Sequence, residues 1–378
     1  MSESAILQAA YAAEAQYLEL LADLVTHESP TDDEAACDVL ATRLADHMRA
    51  SGLTVERHAR QGVGDVLEGR ARGAGGETTL LLCHYDTVWP LGTLGAMPFT
   101  RAGDKVSGPG TLDMKAGIAN ALTALRLVSE LGLELAGDVT LLLTSDEETG
   151  SRSSRELIES LARAHDRVFV LEPGRDDGAL KVGRKGVGGF RLQFRGRSAH
   201  AGNNPSDGAS ALRELAHMLV FIEDLSDDVA GTTVNVTVAR AGFATNVIAE
   251  EAEAFVDFRV LKASEAERVT NAIHDYTPRD SRVTLTVTGG LNRPPLELTA
   301  ANRALFERAQ AVGNALSLEL DGGVVGGGSD GNFTSAMGVP TLDGLGSVGG
   351  GPHARHEHIR VRESLQRVAL LTGLLARD

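Results

Sequence analysis

The sequence predicts an α/β protein whose mostly parallel sheet is interrupted by an inserted α+β domain with a two-layer, antiparallel sheet. In the first half of the chain, short apolar runs are separated by helical patterns, as in a parallel sheet covered on both faces. Farther along, strands alternate between apolar and polar residues, as in a sheet with one solvated face. The 378 residues also exceed what one hydrophobic core usually serves. We therefore expect one domain from residues 1–181 and 294–378, and an inserted domain from residues 182–293.

The first half of the chain alternates between predicted helices and strands. Helical spacing of alanine and leucine predicts a helix at 4–26, and a start signal at 29–32 predicts another at 33–51. Continuous apolar runs predict buried strands, above all at 78–84 and 139–144. The other expected elements are strands at 54–58, 64–69 and 168–171, helices at 115–132 and 151–164, and a loop from 90 to 112.

The predicted insertion has a different rhythm. Apolar residues alternate with polar ones, for example at Val234, Val236 and Val238, which predicts strands with one wet face. The expected strands are 187–196, 232–240, 252–260 and 282–288, and the expected helices are 205–224 and 264–275. Helices at 299–314 and 361–376 then belong to the first domain.

Composition limits the class of partner and the compartment. The chain has 36 basic and 52 acidic residues, and its net charge of −16 disfavours binding to nucleic acid or to an anionic membrane. Cys37 and Cys83 form no CxxC pair, so we expect two reduced, buried thiols. The N-terminal stretch lacks the basic and apolar regions of a signal peptide. These features predict a cytoplasmic protein.

The predicted strand 78–84 presents the first candidate site residues. It ends at His84, and Asp86 follows two residues later. Ligands of open α/β sheets bind beyond the carboxyl ends of the strands. An imidazole there can bind a metal, and a nearby carboxylate can fix its tautomer or bind as well. A lone histidine at a strand end is more often structural, so the motif gains weight only from the acids that follow other apolar runs.

Two single acids lie in comparable places. Asp113 lies in a glycine-rich loop, where it either caps the following helix or acts as a ligand. Glu172 directly follows the apolar strand 168–171. Both therefore join His84 as candidates.

Three adjacent acids, Asp146, Glu147 and Glu148, follow the predicted strand 139–144. Such a cluster is costly next to a core unless something positive lies among the carboxylates. It is either a solvated loop that caps the next helix or a pair of working acids. In the second case one carboxylate binds metal and its neighbour transfers protons.

Three histidines, His353, His356 and His358, crowd a glycine-rich stretch near the C-terminus. With the acids they offer only nitrogen and oxygen donors, which suit zinc, or manganese and cobalt. No thiolate joins them, so a closed structural zinc site is not expected. Two metals bridged by one carboxylate would use five such donors and leave room for a water.

A competing motif surrounds Ser329, where Gly327–Gly331 fits the G-x-S-x-G nucleophile turn. Asp343 and His353 follow it in the chain order of α/β hydrolases. Only 49 residues remain after the serine (378 − 329), which is few for the rest of that fold. The motif also leaves the acids of the first half without a role. A serine hydrolase is therefore a distant alternative.

Taken in order, these stretches resemble the M20 family of co-catalytic zinc peptidases and amidohydrolases, and in particular its glutamate carboxypeptidase branch. The motifs that carry the resemblance are HYDTVWP, GPGTLDMKAG, SDEETGS, LEPG, GRSAHAG and GPHARHE, and they span nearly the whole chain. The resemblance implies a catalytic domain with two zinc ions per subunit, for which cobalt or manganese can substitute. It also implies that the inserted domain dimerises and that the protein is a homodimer.

The resemblance implies a role for each candidate residue. His84 and Glu172 would bind one metal, Glu148 and His353 the other, and Asp113 would bridge them. The choice of His353 over the two later histidines depends on its place after Gly350-Gly351-Pro352. The other implied roles are Glu147 as general base, Asp86 as the group that orients His84, His200 as an oxyanion donor to a partner subunit, and Asn246 and Arg259 as binders of the substrate carboxylate.

The implied reaction is hydrolysis of an amide bond adjacent to a free carboxylate, with release of a C-terminal amino acid. An N-acyl-amino-acid deacylase of the aminoacylase or acetylornithine deacetylase type is the close alternative, because the sequence does not identify the acyl-side contacts. The substrate would be a small peptide or an N-acyl amino acid. A non-catalytic relative that only binds metal or ligand is a third, weaker hypothesis.

Overall fold

A computed structural model describes the backbone of residues 3–377 and the side chains of residues 5–377. The chain forms two compact units. Unit 1 comprises Met1–Gly183, Glu297–Val325 and Ser329–Asp378, and unit 2 comprises Arg184–Leu296 and Gly326–Gly328. Compact packing does not show that either unit folds alone, so the division at 182 and 293 into functional domains stays a prediction.

Strands and helices alternate along the first part of unit 1. In chain order these elements are α1 (Glu3–Ala12), α2 (Glu14–Thr26), α3 (Glu34–Ala50), β1 (Thr54–His58), β2 (Val66–Ala71), β3 (Thr79–His84), β4 (Thr100–Ala102), β5 (Lys105–Ser107), α4 (Ala116–Glu130), β6 (Val139–Thr144), α5 (Arg155–Arg163), β7 (Arg167–Val170) and β8 (Leu180–Arg184).

Unit 2 then supplies β9 (Gly186–Arg195), α6 (Ala211–Glu223), β10 (Thr233–Ala241), β11 (Glu251–Val260), α7 (Ala263–His274) and β12 (Thr284–Arg293). The chain returns to unit 1 with α8 (Ala300–Ala315), β13 (Gly322–Val325), α9 (Gly331–Ala336), β14 (Thr341–Leu342), β15 (Gly349–Gly350), β16 (His358–Arg360) and α10 (Val361–Leu375). None of the helices in the described part of the chain has both the length and the apolar character needed to cross a bilayer.

The main sheet of unit 1 has six strands in the order β1-β2-β6-β3-β7-β14. Strand β3 lies at its centre and pairs in parallel with β6 on one side and β7 on the other. Every residue of β3 and of β6 is buried, because helices cover both faces of a parallel sheet. The mostly parallel α/β sheet predicted from the apolar runs is confirmed.

Unit 2 is built on a four-stranded sheet in the order β10-β11-β9-β12, and every pairing in it is antiparallel. Along β9 buried and exposed residues alternate, so that one face bears Phe190, Leu192 and Phe194. These side chains share a hydrophobic core with residues of both α6 and α7, among them Met218 and Val269. The predicted two-layer α+β architecture is thus confirmed.

Several local predictions differ from the structure, and the helix predicted at 205–224 begins only at Ala211. The helix predicted at 4–26 is two helices that meet at Ala13, where ψ is 0°, and no glycine or proline marks this break. The helix predicted at 33–51 is α3. Its N-cap is Asp33, whose side chain accepts a hydrogen bond from Ala36 N at 2.9 Å, so the cap lies one residue after the predicted start signal at 29–32. The predicted loop 90–112 contains β4 and β5, which join β15 and β16 in a small sheet.

Both cysteines lie in the core of unit 1. Cys37 is fully buried on α3 and Cys83 is 2% exposed on β3, and neither forms a disulfide. Burial raises the pKa of the Cys37 thiol to about 12 and also raises the pKa of Cys83. Thiolates are the reactive species, so burial and the raised pKa values predict low reactivity of both thiols in the folded protein.

We therefore expect neither cysteine of the native protein to react with Ellman's reagent at pH 8, whereas both react in denaturant. The Cys37→Ala variant should release one thiolate equivalent in denaturant in place of two, and still none when folded. Rapid labelling of the native wild type would contradict the burial of these thiols.

Candidate metal centre

The parallel sheet of unit 1 gathers acids and a histidine at one edge. Strand β3 ends at His84, β6 ends just before the acidic loop at 146–148, and β7 ends just before Glu172. Because the three strands are parallel neighbours, their carboxyl ends meet at the same edge of the sheet. Residues that are far apart in sequence are therefore brought together.

His84 is at the centre of this group and is only 2% exposed. Its Nε2 atom lies 3.3 Å from Asp113 Oδ1 and 3.3 Å from Glu172 Oε1. On the other side of the ring, Nδ1 lies 3.3 Å from Asp86 Oδ1. Burial alone would lower the pKa of His84, but hydrogen bonds to three carboxylates outweigh it and hold that pKa well above its usual value.

Asp113 faces two imidazoles with its two oxygens. Oδ1 is near His84, and Oδ2 lies 3.4 Å from Nε2 of His353. The same Nε2 atom lies 3.2 Å from Glu148 Oε2. Burial opposes ionisation of Asp113, but its hydrogen bonds to the two imidazoles hold its pKa well below the usual range. Hydrogen bonds to the two carboxylates raise the pKa of His353 to about 11.

The remaining oxygen of Glu148 shows that the group suits a cation. Among the described residues, Glu148 Oε1 is buried and has no hydrogen-bond partner, and burial raises the pKa of this carboxyl. A buried carboxylate oxygen without a donor is costly unless a positive charge approaches it. Donor atoms of His84, Asp113 and Glu148 lie within 4.8 Å of one another, as do those of His84, Glu147 and Glu172. Nitrogen and oxygen donors in this arrangement fit zinc, manganese or cobalt.

Asp86 is fully buried and joins His84 to the acidic loop. Its Oδ2 accepts hydrogen bonds from Thr31 Oγ1 at 2.7 Å and from the backbone N–H of Glu148 at 3.2 Å. Its Oδ1 accepts from the backbone N–H of Glu147 at 3.3 Å. One carboxylate thus lies beside the imidazole and also holds the main chain that carries two candidate acids.

The three adjacent acids have different surroundings. Asp146 is 2% exposed and accepts hydrogen bonds from Ser153 N at 2.7 Å, from Ser154 N at 3.3 Å and from Ser154 Oγ at 2.5 Å. It fixes the loop against the start of α5. A carboxylate oxygen of Glu147 and one of Glu148 each lie within 4.8 Å of a ring nitrogen of His84. Asp146 thus has a structural role, and the interpretation of Glu147 and Glu148 as working acids stays a prediction.

His353 is the member of the C-terminal histidine cluster that lies beside the acids. Its φ of 58° is in the left-handed region, which is uncommon for a residue with a side chain. His358 instead donates from Nδ1 to the backbone oxygen of His356 at 2.9 Å. The role of His353 as a ligand stays a prediction that this geometry supports.

Two residues to which the sequence analysis gave no role lie against the group. Glu357 is fully buried and bonds the main chain around Asp113, and burial raises its pKa to about 7. Lys115 is 1% exposed, donates from Nζ to the backbone oxygen of His27 at 2.8 Å, and has its pKa lowered by burial to about 8. The sequence could have indicated a role for both residues, because Glu357 lies four residues after His353 and Lys115 two residues after Asp113.

The candidate residues of unit 2 lie partly together. His200 Nδ1 accepts hydrogen bonds from the backbone N–H groups of Gly202 at 3.1 Å and Asn203 at 3.0 Å. The next residue, Ala201, donates from its backbone N–H to the backbone oxygen of Asn246 at 2.9 Å, so the two candidate segments are neighbours.

Arg259, the third candidate of unit 2, lies on β11 and already has a carboxylate partner. Its guanidinium forms a two-pronged pair with Asp257, with hydrogen bonds of 2.9 and 2.8 Å. A substrate carboxylate at Arg259 would share or replace this partner, which the sequence analysis did not foresee.

Ser329 lies in the core of unit 1. It is fully buried, its hydroxyl donates to Asp343 Oδ2 at 2.6 Å, and it accepts from the backbone N–H of Gly331 at 3.1 Å. A nucleophile needs access to substrate and a base that can take its proton. Burial against a carboxylate therefore argues against the serine-hydrolase alternative.

A separate group on the β1–β2 hairpin also has ligand-type side chains, namely Glu56, His58 and Glu68. Glu68 is 2% exposed, and its two oxygens already bond His58 Nε2 at 3.0 Å and Arg70 Nε at 2.5 Å. Both of its oxygens are therefore bonded by protein side chains, whereas Oε1 of Glu148 has no such partner among the described residues.

Comparison with known proteins identifies the fold and the family. Residues 80–377 match the model of peptidase family M20/M25/M40. Carboxypeptidase G2 of a Pseudomonas species is 30% identical over 385 aligned residues, which cover 99% of this chain and 92% of that protein. Succinyl-diaminopimelate desuccinylase of Alkalilimnicola ehrlichii is also 30% identical, with 95% of this chain and 98% of that protein covered.

Solved structures show the same fold at lower identity. Aminopeptidase PepT of Bacillus cereus superposes with a TM-score of 0.81 at 22% identity, over 96% of this chain and 98% of that one. A dinuclear metal-binding peptidase of the M20 family from Bacillus subtilis superposes with a TM-score of 0.70 at 13% identity, over 97% and 99% of the two chains. The chain therefore belongs to the peptidase family M20/M25/M40 and is a hydrolase that acts on amide bonds.

Proposed function

We propose that this protein is a di-zinc exopeptidase of the glutamate carboxypeptidase type, which cleaves an amide bond next to a free carboxylate and releases a C-terminal amino acid. The observation that carries the proposal is the arrangement of Asp113 and Glu148. The two oxygens of Asp113 face two different imidazoles, and Oε1 of the nearby Glu148 accepts no hydrogen bond. The similarity to carboxypeptidase G2 along 99% of the chain supports the choice of reaction.

In this proposal His84 and Glu172 would hold one metal ion, Glu148 and His353 would hold the other, and Asp113 would be a ligand shared by both. Zinc is the proposed ion, and cobalt or manganese can substitute because the donors are all nitrogen or oxygen. When bound, the two ions would supply Lewis acidity that polarises the scissile carbonyl and lowers the pKa of the attacking water.

The protein's own residues would handle the protons. A carboxylate oxygen of Glu147 lies within 4.8 Å of donor atoms of His84 and Glu172, and this proximity supports a role for Glu147 in the reaction. Glu147 would take a proton from the attacking water and later deliver it to the leaving nitrogen. Asp86, beside Nδ1 of His84, would keep the opposite ring nitrogen free for metal binding.

The residues of unit 2 would serve the substrate. Because His200 Nδ1 accepts two backbone hydrogen bonds, the neutral ring carries its proton on Nε2. That N–H can donate to the developing oxyanion, which we propose it does for a partner subunit in a homodimer. Arg259 and Asn246 would bind the substrate carboxylate, the former by the forked contact that it now makes with Asp257.

The second candidate function is removal of an acyl group from an N-acyl amino acid. It is favoured by the desuccinylase relatives, of which that of Alkalilimnicola ehrlichii is also 30% identical, over 95% of this chain. Both reactions use the same metals, the same general base and a substrate with a free carboxylate. They differ in the group on the acyl side of the scissile bond.

Two buried carboxylates should respond differently to neutralisation in metal-free protein. For Glu148→Gln we expect the free energy of unfolding to stay within about 1 kcal/mol of wild type, since Oε1 has no hydrogen bond to lose and an amide oxygen in the place of Oε2 can still accept from the half-exposed His353. For Asp146→Asn we expect a loss of about 1–3 kcal/mol, because three donors converge on that carboxylate. Urea denaturation of chelator-treated proteins measures both.

Added zinc supplies the control for this pair. It should raise the melting temperature of wild type and of Asp146→Asn, because an ion that binds only the folded state stabilises it. The rise should be much smaller for Glu148→Gln. An equal rise in all three proteins would remove Glu148 from the ligand set.

The Glu147→Gln variant should keep about two zinc ions per chain and lose at least about 100-fold in kcat, since the amide cannot accept the proton. Metal analysis and initial rates measure the two quantities. Glu156→Gln, the same change at an exposed position of α5, should retain wild-type kcat. Normal turnover by Glu147→Gln would exclude it as the base, and full activity in excess chelator would refute the proposed function.

A substrate panel separates the two candidate reactions. We expect kcat/KM for a dipeptide ending in glutamate to exceed that for N-acetyl- and N-succinyl-amino acids at least tenfold. Arg259→Met should raise KM about tenfold or more for substrates with a free carboxylate, because hydrogen bonds between charged groups are worth about 1.5–3 kcal/mol. Arg191→Met removes a comparable pair, with Glu253, and should leave KM unchanged. Preference for the N-acyl substrates would establish the deacylase instead.

A further inference from the structure

We propose that Glu357 is a positioning residue that fixes the main chain around the bridging carboxylate, Asp113, and so sets the metal affinity of the centre. The inference rests on the proposed function, because it takes Asp113 as a metal ligand. Glu357 itself is not among the proposed ligands. It acts through the segments that carry them.

Four N–H groups converge on the Glu357 carboxylate. Oε1 accepts from the backbone N–H of Leu112 at 2.8 Å and of Asp113 at 3.1 Å. Oε2 accepts from the backbone N–H of Gly110 at 3.2 Å and from the indole N–H of Trp89 at 3.0 Å. The side chain is fully buried, so water does not compete for these bonds. Three of the four donors belong to the stretch that ends at Asp113.

This set of donors requires both oxygens to be acceptors. A carboxylate offers acceptor sites on each oxygen and no donor. A glutamine side chain has one acceptor oxygen, and its NH₂ group would face two N–H donors at the other position. The exchange of Glu357 for Gln thus keeps the volume but leaves at least two buried donors unsatisfied.

The same carboxylate joins three segments of the proposed centre. Trp89 lies in the segment that follows His84, Gly110–Asp113 contains the bridging acid, and Glu357 itself follows His353 by four residues. The local chain at Gly110 has a φ of 68°, and a Cβ there would collide with Thr87. Glycine at position 110 thus allows the turn from which the backbone N–H groups of this segment reach Glu357. Partners of this kind orient ligands, and their loss typically costs 10–100-fold in metal affinity.

Unit 2 provides a matched control for a purely structural role. Glu214 is 1% exposed and also accepts two backbone hydrogen bonds, from Arg279 N at 2.7 Å and from Asp280 N at 3.3 Å. It has no part in the proposed metal centre. Glu214→Gln therefore reproduces the loss of a buried, hydrogen-bonded carboxylate without the loss of contact to a ligand segment.

The experiment uses wild type, Glu357→Gln and Glu214→Gln as full chains that have been stripped with chelator. Zinc affinity is measured by competition with a chromogenic chelator, and hydrogen exchange of the peptide that covers residues 108–116 is followed in the metal-free proteins. For Glu357→Gln we expect zinc affinity to fall 10–100-fold and the peptide to exchange faster. For Glu214→Gln we expect both to match wild type. If Glu357→Gln fails to fold, Glu357→Asp takes its place, since the shorter side chain cannot reach all four donors.

Each remaining outcome has a defined meaning. Wild-type zinc affinity in Glu357→Gln overturns the inference, whether or not the peptide exchanges faster. An equal loss of affinity in Glu214→Gln also overturns it, because the effect would then be general destabilisation. A wild-type protein that binds no zinc refutes the proposed function, and the inference about metal affinity falls with it. If the wild type binds zinc and hydrolyses substrate, and Glu357→Gln has the same zinc affinity, the inference is refuted but the proposed function stands.

Discussion

The centre of unit 1 is governed by the cost of burying negative charge. Asp86 and Glu357 are fully buried, Glu172 is 6% exposed, and Asp113 and Glu148 lie largely out of water. A buried carboxylate is tolerated only when hydrogen bonds or a cation compensate it. Asp86 and Glu357 are compensated by N–H and O–H donors. Asp113, Glu148 and Glu172 instead lie beside the imidazoles of His84 and His353, and Oε1 of Glu148 accepts no hydrogen bond. This difference distinguishes the structural carboxylates from the proposed ligands.

The sheet explains how such a cluster arises from dispersed residues. β3, β6 and β7 run in parallel as neighbours, so a polar residue placed just after each strand reaches the same edge. This regularity made much of the centre predictable, since His84, Glu148 and Glu172 each follow an apolar run. The strands of unit 2 were equally predictable, because apolar residues at every second position indicate a sheet with one solvated face.

Other features depend on partners that residue types do not reveal. The donors to Glu357 are mostly backbone N–H groups, and every residue except proline has one, so the sequence does not show which ones converge. The same reason hid the structural role of Asp146 among the three acids. The break at Ala13 carries no glycine or proline that would mark it. The hairpin of β4 and β5 did have a sequence signal, the two-residue turn Gly103-Asp104, in which the φ of Gly103 is 64°, but the sequence analysis did not use it. The pairing of Arg259 with Asp257 was hidden for a related reason, because a strand spacing of two places many side chains on one face without selecting a pair.

Asp86 and Glu357 divide the work of holding the centre. Asp86 accepts the N–H groups of Glu147 and Glu148, and Glu357 accepts those around Asp113. In each case a buried carboxylate holds the main chain of a segment that carries a proposed ligand. The segments that carry the proposed ligands are thus held by hydrogen bonds within the protein, so that less conformational entropy would be lost if an ion binds. A carboxylate suits this task better than an amide, since it receives N–H groups on both oxygens and repels neither.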